Sequence, residues 1–112
     1  IYKVQSDRLD VFAFKGDMPD EKCELYLAPY FNVTGSAVCL GSSRLERPQN
    51  PSFTVWLAYW ENLFWMSEFS HLGTNGNPTR SNLVLVTENA RNRPFDYSEL
   101  IPMNKKLKDL LV

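Results

Sequence analysis

One amphipathic segment in the middle of the chain restricts the possible folds more than any other feature of the sequence. Its apolar residues recur at the spacing of one helix face. They are Trp56, Trp60, Leu63 and Phe64, with Tyr59, Met66 and Phe69 broadening the stripe. Ser52 or Thr54 is placed to cap the start of this helix, and Gly73 predicts its end. A stripe of this kind is far more often a core face than a cofactor site, so we expect it to be buried.

Short apolar runs on both sides of the helix predict the remaining elements. The opening residues form one or two strands, the second over residues 9–15, and residues 24–29 form another that ends at a proline. Residues 83–87 are apolar and β-branched and predict a short strand, whereas residues 103–112 space their leucines helically. Residues 30–47 have no regular pattern, and we expect them to be exposed and irregular. A chain of 112 residues has room for one domain with one hydrophobic core.

The charge and the content of cysteine and histidine exclude several classes of function. Twelve basic and thirteen acidic side chains give a net charge of −1, without the basic surface that binds nucleic acid or anionic membranes. No apolar run approaches the roughly 20 residues of a membrane span. Two cysteines and one histidine are too few for a zinc site, and no phosphate-binding loop is present. We therefore expect no metal and no cofactor, in a reducing, cytoplasmic setting.

Cys39 is the strongest candidate for chemistry. The residues around it are small and polar, a composition that packs poorly in a core and presents a side chain well. They are Gly35, Ser36, Gly41, Ser42 and Ser43. A reactive cysteine needs access of this kind. Two alternatives stay open: a buried cysteine that acts as a small hydrophobic residue, and a disulfide with Cys23.

His71 is the one histidine of the chain, and it follows the aromatic helix. Together with Cys39 it suggests a nucleophile and its base. A histidine at a helix end is more often a cap that interacts favourably with the helix dipole. No third residue that would orient the histidine is identifiable, so the pair gives little support to a cysteine protease.

An ordered set of residues around these positions resembles a known family. The set runs Leu25-Tyr26-Leu27-Ala28-Pro29-Tyr30-Phe31-Asn32-Val33, then Gly35, Val38-Cys39 and Gly41, with Phe69-Ser70-His71 after the helix. It resembles the prokaryotic ubiquitin-conjugating-like family D, whose best-known members are called PRTRC system protein B. Asn32 and Cys39 are also similar to the asparagine and the cysteine of ubiquitin-conjugating enzymes, although Tyr30 and Phe31 replace the histidine and proline of their motif.

The resemblance implies an α+β, ubiquitin-conjugating-enzyme-like fold, in which an antiparallel sheet and a cysteine-bearing loop are followed by the aromatic-rich helix. That fold begins with a helix and a four-stranded meander. Only two or three strands and no leading helix are identifiable before Cys39. We therefore expect residues 1–112 to be a single domain that lacks the first part of the fold and forms the C-terminal portion of a longer chain.

The resemblance also implies a mechanism and its partners. Cys39 would carry a ubiquitin-like protein as a thioester received from a ThiF-like activating enzyme, in a plasmid- or mobile-element-type cassette. Asn32 would stabilise the oxyanion, and His71 would assist the incoming nucleophile. Two other classes stay open. One is a non-catalytic interaction or scaffold module with the same fold, and the other is a cysteine hydrolase that uses Cys39 and His71.

Overall fold

A computed structural model, which describes residues 1–41, 45–67 and 76–111, shows an antiparallel sheet and two helices. The strands are β1 (Tyr2–Gln5), β2 (Arg8–Ala13), β3 (Glu24–Leu27), β4 (Val33–Thr34), β5 (Ala37–Val38) and β6 (Pro102–Lys106). The helices are α1 (Phe53–Met66) and α2 (Leu83–Ala90), and short 3-10 turns cover Tyr97–Glu99 and Leu107–Leu110. The predicted α+β class and the antiparallel sheet are thus confirmed.

Strand β2 is the centre of the sheet. It pairs with β1, β3 and β5, all antiparallel, while β4 continues the sheet beyond β5 and β6 continues it beyond β3. Four consecutive β2 residues, from Leu9 to Phe12, are buried. Successive strand residues point to opposite faces, so both faces of β2 are covered. The predicted strands near residues 9–15 and 24–29 are confirmed.

Helix α1 covers one face of this sheet through the aromatic stripe. Tyr59, Trp60, Leu63 and Phe64 are buried and form one cluster with Leu9, Val11, Ala28 and Val33. The Ser52 hydroxyl accepts a hydrogen bond from the Val55 N–H at 3.4 Å, which confirms the predicted N-cap. The helix ends at Met66 rather than near Gly73, and Met66 is 56% exposed, so its place in the buried stripe was wrongly predicted.

The predicted strand at residues 83–87 is wrong, because these residues begin α2. Two asparagines cap the start of the helix: Asn82 Oδ1 accepts from the Val84 N–H and Asn77 Oδ1 from the Leu83 N–H, each at 2.9 Å. Leu83 and Val86 are buried three residues apart, which is a helical spacing. The caps and the one-sided burial outweigh the β preference of the branched side chains.

The predicted helix over residues 103–112 is also wrong. Residues 102–106 form β6, which pairs with β3 at Glu24↔Lys106 and Tyr26↔Pro102, and only a 3-10 turn follows. Strand β6 pairs along the outer edge of β3, and this tertiary pairing overrides the local leucine spacing. No helix of the described residues is long and apolar enough to cross a membrane.

Candidate functional site

The two residues with the strongest chemical prediction, Asn32 and Cys39, flank a two-stranded hairpin. Strands β4 and β5 pair at Val33↔Val38 and are joined by Gly35 and Ser36. Gly35 has a φ of 61°, and a glycine at the first position of a two-residue turn adopts this angle without steric cost. Residues 30–47 are therefore not wholly irregular, and five short strands, not two or three, precede Cys39.

Cys39 extends the hairpin by one residue pair. Its backbone N–H donates to the Asn32 carbonyl oxygen at 2.7 Å, so the register of the hairpin places Asn32 and Cys39 opposite each other. Cys39 is exposed and Cys23 is half-buried, and both are free thiols, so neither a buried Cys39 nor a disulfide is found. The hairpin thus presents the Cys39 side chain to solvent, while its peptide group is held by a strong backbone bond.

Asn32 is almost completely buried, at 1% exposure. Its Nδ2 donates to the Ser67 hydroxyl at 2.5 Å and, over a longer distance of 3.4 Å, to the Cys39 carbonyl oxygen. Its Oδ1 is buried without a hydrogen-bond donor among the described residues. A side-chain amide has two N–H donors, so both donors of Asn32 are engaged within the protein.

The turn of the hairpin is anchored separately, by Asp10 of β2. The Ser36 hydroxyl donates to Asp10 Oδ1 at 2.7 Å, and the Val11 N–H donates to the Ser36 carbonyl at 2.9 Å. The Arg8 guanidinium also donates to Asp10 Oδ1, at 2.8 Å from Nη2, and this contact raises the pKa of Arg8. The carboxylate is buried and receives three donors at one oxygen, which compensates for the cost of its burial.

The segment before Asn32 packs against the last turns of α1. The Tyr30 ring lies edge-on to the rings of Phe64 and Trp65, with centroids 5.2 and 5.8 Å apart. Burial raises the pKa of the Tyr30 phenol. On the outer side, residues from both helices, from this segment and from the loop after α2 line an open apolar pocket of about 440 Å³. Its lining is Pro29, Tyr30, Phe31, Trp65, Val86, Thr87, Ala90 and Phe95.

The predicted site residue His71 lies outside the described residues, so the structure does not place it near Cys39 or away from it. Phe69, which was predicted to belong to the apolar stripe and to the family-like motif, also lies outside them. The described ranges contain no group of three or more metal-ligating side chains. Two polar residues that hold the site in place, Asp10 and Ser67, were not predicted from the sequence. Asp10 could have been found, because a carboxylate inside an apolar strand is unusual, whereas nothing in the sequence distinguishes Ser67.

A comparison with known protein families finds a match over most of the chain. A family model described as Prokaryotic E2 family D matches residues 1–103, a range that includes both Asn32 and Cys39. No curated protein and no solved structure matches the chain.

Proposed function

Because the chain belongs to prokaryotic E2 family D, we propose that it carries a ubiquitin-like protein as a thioester on Cys39. E2 proteins are the ubiquitin-conjugating type, so the family suggests a partner of the ubiquitin-like class and an activating enzyme. The observation that carries the proposal is the placement of Cys39: an exposed, free thiol at the end of a hairpin that is anchored at its turn and at its base.

The proposed reaction is a thioester exchange. The Cys39 thiolate attacks the carbonyl carbon that joins the C-terminus of the carrier to a ThiF-like activating enzyme. A new C–S bond forms to Cys39, the old C–S bond breaks, and the activating enzyme leaves as a thiolate. An amine later attacks the Cys39 thioester: a C–N bond forms, the C–S bond to Cys39 breaks, the amine nitrogen loses a proton and Cys39 leaves as a thiolate. Both steps pass through a tetrahedral oxyanion.

The anchored hairpin suits this chemistry for two physical reasons. The attacking sulfur must approach a carbonyl on a second protein, so it has to be accessible, as Cys39 is. A loop fixed in advance loses little conformational freedom when the partner binds, and more of the binding energy then serves the reaction. We further propose that a reducing, cytoplasmic compartment keeps Cys39 as a thiol, and that the genes for both partners lie in the same prokaryotic cassette.

Thioester formation tests the proposal directly. The protein is incubated with ATP, a ThiF-like activating enzyme and a ubiquitin-like protein from the same genome, and the products are separated without reductant. We expect an adduct that disappears on reduction and is absent in Cys39→Ala, whereas Cys39→Ser gives an ester that resists reduction. Cys23→Ser is the matched control, because Cys23 is the other free thiol, and it should load normally. Loading that survives Cys39→Ala would refute the assignment.

One observation favours a second candidate, a non-catalytic interaction module with the same fold. Both N–H donors of Asn32 are engaged within the protein, so this conformation offers no free side-chain donor at position 32 for an oxyanion. In such a module Cys39→Ala would bind the same partners as the wild type, with no adduct formed by either. Pull-down of the activating enzyme by both proteins, combined with the loading assay, separates a carrier from a module.

A further inference from the structure

A short chain of hydrogen bonds connects the Cys39 peptide to the C-terminal end of α1. It runs from the Phe64 carbonyl to the Ser67 hydroxyl, then to the Asn32 amide, and from there to the backbone of Cys39. We propose that Ser67 is a positioning residue for Cys39. Through its contact with Asn32, Ser67 ties the base of the hairpin to the end of α1. The inference deepens the proposed function, because it takes Cys39 as the reactive residue, but its test needs neither the carrier nor an activating enzyme.

Ser67 is suited to this role because its hydroxyl serves two partners at once. The hydroxyl donates to the Phe64 carbonyl at 2.5 Å and accepts from Asn32 Nδ2 at the same distance. The Ser67 backbone N–H also donates to the Phe64 carbonyl, at 3.1 Å, so its position is fixed by the helix end. Phe64 is completely buried, so this series of hydrogen bonds is anchored in the core.

The contact between Ser67 and Asn32 has few ways to rearrange. Both residues are buried, at 5% and 1% exposure, so water does not readily replace a lost partner. The Ser67 proton is committed to the Phe64 carbonyl, and Asn32 must therefore be the donor in their contact. Removing the hydroxyl leaves a buried N–H without an acceptor, the costly kind of loss for a hydrogen bond. The cost falls on the conformation of Asn32, whose carbonyl receives the Cys39 N–H.

The tie also differs from ordinary packing in where it acts. Tyr30 already fastens the same segment to α1 through ring contacts with Phe64 and Trp65. Those contacts hold the chain two residues before Asn32 and do not reach Cys39. Of the contacts just described, only the Ser67–Asn32 pair joins α1 to the residue directly opposite Cys39 in the hairpin.

Amide hydrogen exchange followed by NMR tests the inference. In Ser67→Ala we expect the Cys39 amide to exchange at least about tenfold faster. The variant leaves the buried Asn32 Nδ2 without its acceptor, and this destabilises the conformation in which the Asn32 carbonyl accepts from the Cys39 N–H. The Val11 amide, bonded to the Ser36 carbonyl at the other end of the hairpin, should change much less. Ser67→Thr keeps the hydroxyl and should restore most of the protection. In an Asn32→Ala background, Ser67→Ala should add little, because the two act through one contact.

Ser52→Ala is the matched control. It removes a side-chain cap from the same helix at its opposite end, where the contact is exposed and does not lead to Cys39. It should leave the protection of the Cys39 amide relative to Val11 unchanged. Equal loss of protection at Cys39 and Val11 in Ser67→Ala would mean that the variant merely destabilises the whole fold, and it would overturn the inference.

The wild-type protein gives an independent measurement if Ser67→Ala does not fold. Because the two amides are linked through Asn32, the Ser67 and Cys39 N–H groups should open together, with the same opening free energy and the same dependence on low concentrations of urea. Separate opening of the two groups would contradict the role of Ser67, whatever the outcome of the thioester assay.

Discussion

The buried carboxylate of Asp10 allows a sharp prediction about what holds the hairpin in place. Asp10 Oδ1 accepts from Ser36 at 2.7 Å and from Arg8 at 2.8 Å, but the two partners differ in environment. The Arg8 side chain is 64% exposed and that of Asp10 only 9%. The Arg8 end of the ion pair is open to water and salt, which screen its interaction with the carboxylate and keep its contribution small. A hydroxyl bonded to a buried carboxylate contributes about 1.5–3 kcal/mol.

The free energies of unfolding should therefore fall in a fixed order. Arg8→Ala should cost the least, Ser36→Ala about 1.5–2 kcal/mol, and Asp10→Ala, which removes both contacts, about 2–3 kcal/mol. Urea unfolding followed by tryptophan fluorescence measures all three, with the slope of the transition checked for constancy. Salt separates the two contacts further: at 1 M NaCl the effect of Arg8→Ala should vanish, whereas that of Ser36→Ala should persist. A larger loss for Arg8→Ala than for Ser36→Ala would refute this reasoning.

Three further predictions concern the core, a titrating group and a cap. Phe64→Ala should lower the free energy of unfolding in urea by about 3–5 kcal/mol. Phe53→Ala, at a position that is 78% exposed, should lower it by less than about 0.5 kcal/mol, and equal losses would contradict the assignment of the core. Because burial raises the pKa of Tyr30, the stability present below about pH 10 should decline above it. Tyr30→Phe should lessen this decline, and an unchanged curve in Tyr30→Phe would exclude Tyr30 as its cause. Asn82→Ala should cost about 1 kcal/mol and lower the helical circular dichroism signal, and no loss would show that its cap is unimportant.

The elements that the sequence predicted well are those in which one local signal agrees with the tertiary environment. Helix α1 has an N-cap at Ser52 and an apolar stripe with a 3.6-residue period, and the sheet buries that stripe. Strands β2 and β3 are apolar runs bounded by turn residues. In each case, local preference, burial pattern and boundary signals point to the same structure.

Helix α2 shows where local signals conflict. Leu83, Val84, Leu85 and Val86 form a short apolar run, and periodicity cannot distinguish a buried strand from a helix over so few residues. The helix is favoured over the strand by Asn77 and Asn82, whose side chains cap its first N–H groups. Asn77 lies six residues before the amide it caps, so a search for the usual adjacent cap does not find it.

The hairpin illustrates a different limit. Gly35 and Ser36 were predicted to be exposed, irregular backbone, whereas they are half-buried and form the turn of a hairpin. Strands of two residues each are too short to produce a periodic pattern. The contact between Asn32 and Ser67 spans 35 positions in the sequence. The sequence motif indicated Asn32 as a candidate site residue, but only the fold shows which atoms its side chain contacts.

Asn32 raises the question of how one amide could serve both as a tie and as an oxyanion donor. The two N–H groups are not equivalent: the bond to Ser67 measures 2.5 Å, and the bond to the Cys39 carbonyl 3.4 Å. Release of the longer bond would leave one N–H of the buried amide without an acceptor, and an oxyanion at Cys39 would have to accept from that N–H to compensate for the loss. The other N–H stays on Ser67 and keeps the amide in place. An aspartate at position 32 has no N–H to donate to Ser67, so the Ser67 hydroxyl could bond to it only by giving up the Phe64 carbonyl. The contact with Ser67 therefore favours an amide at position 32 whether or not Cys39 carries a thioester.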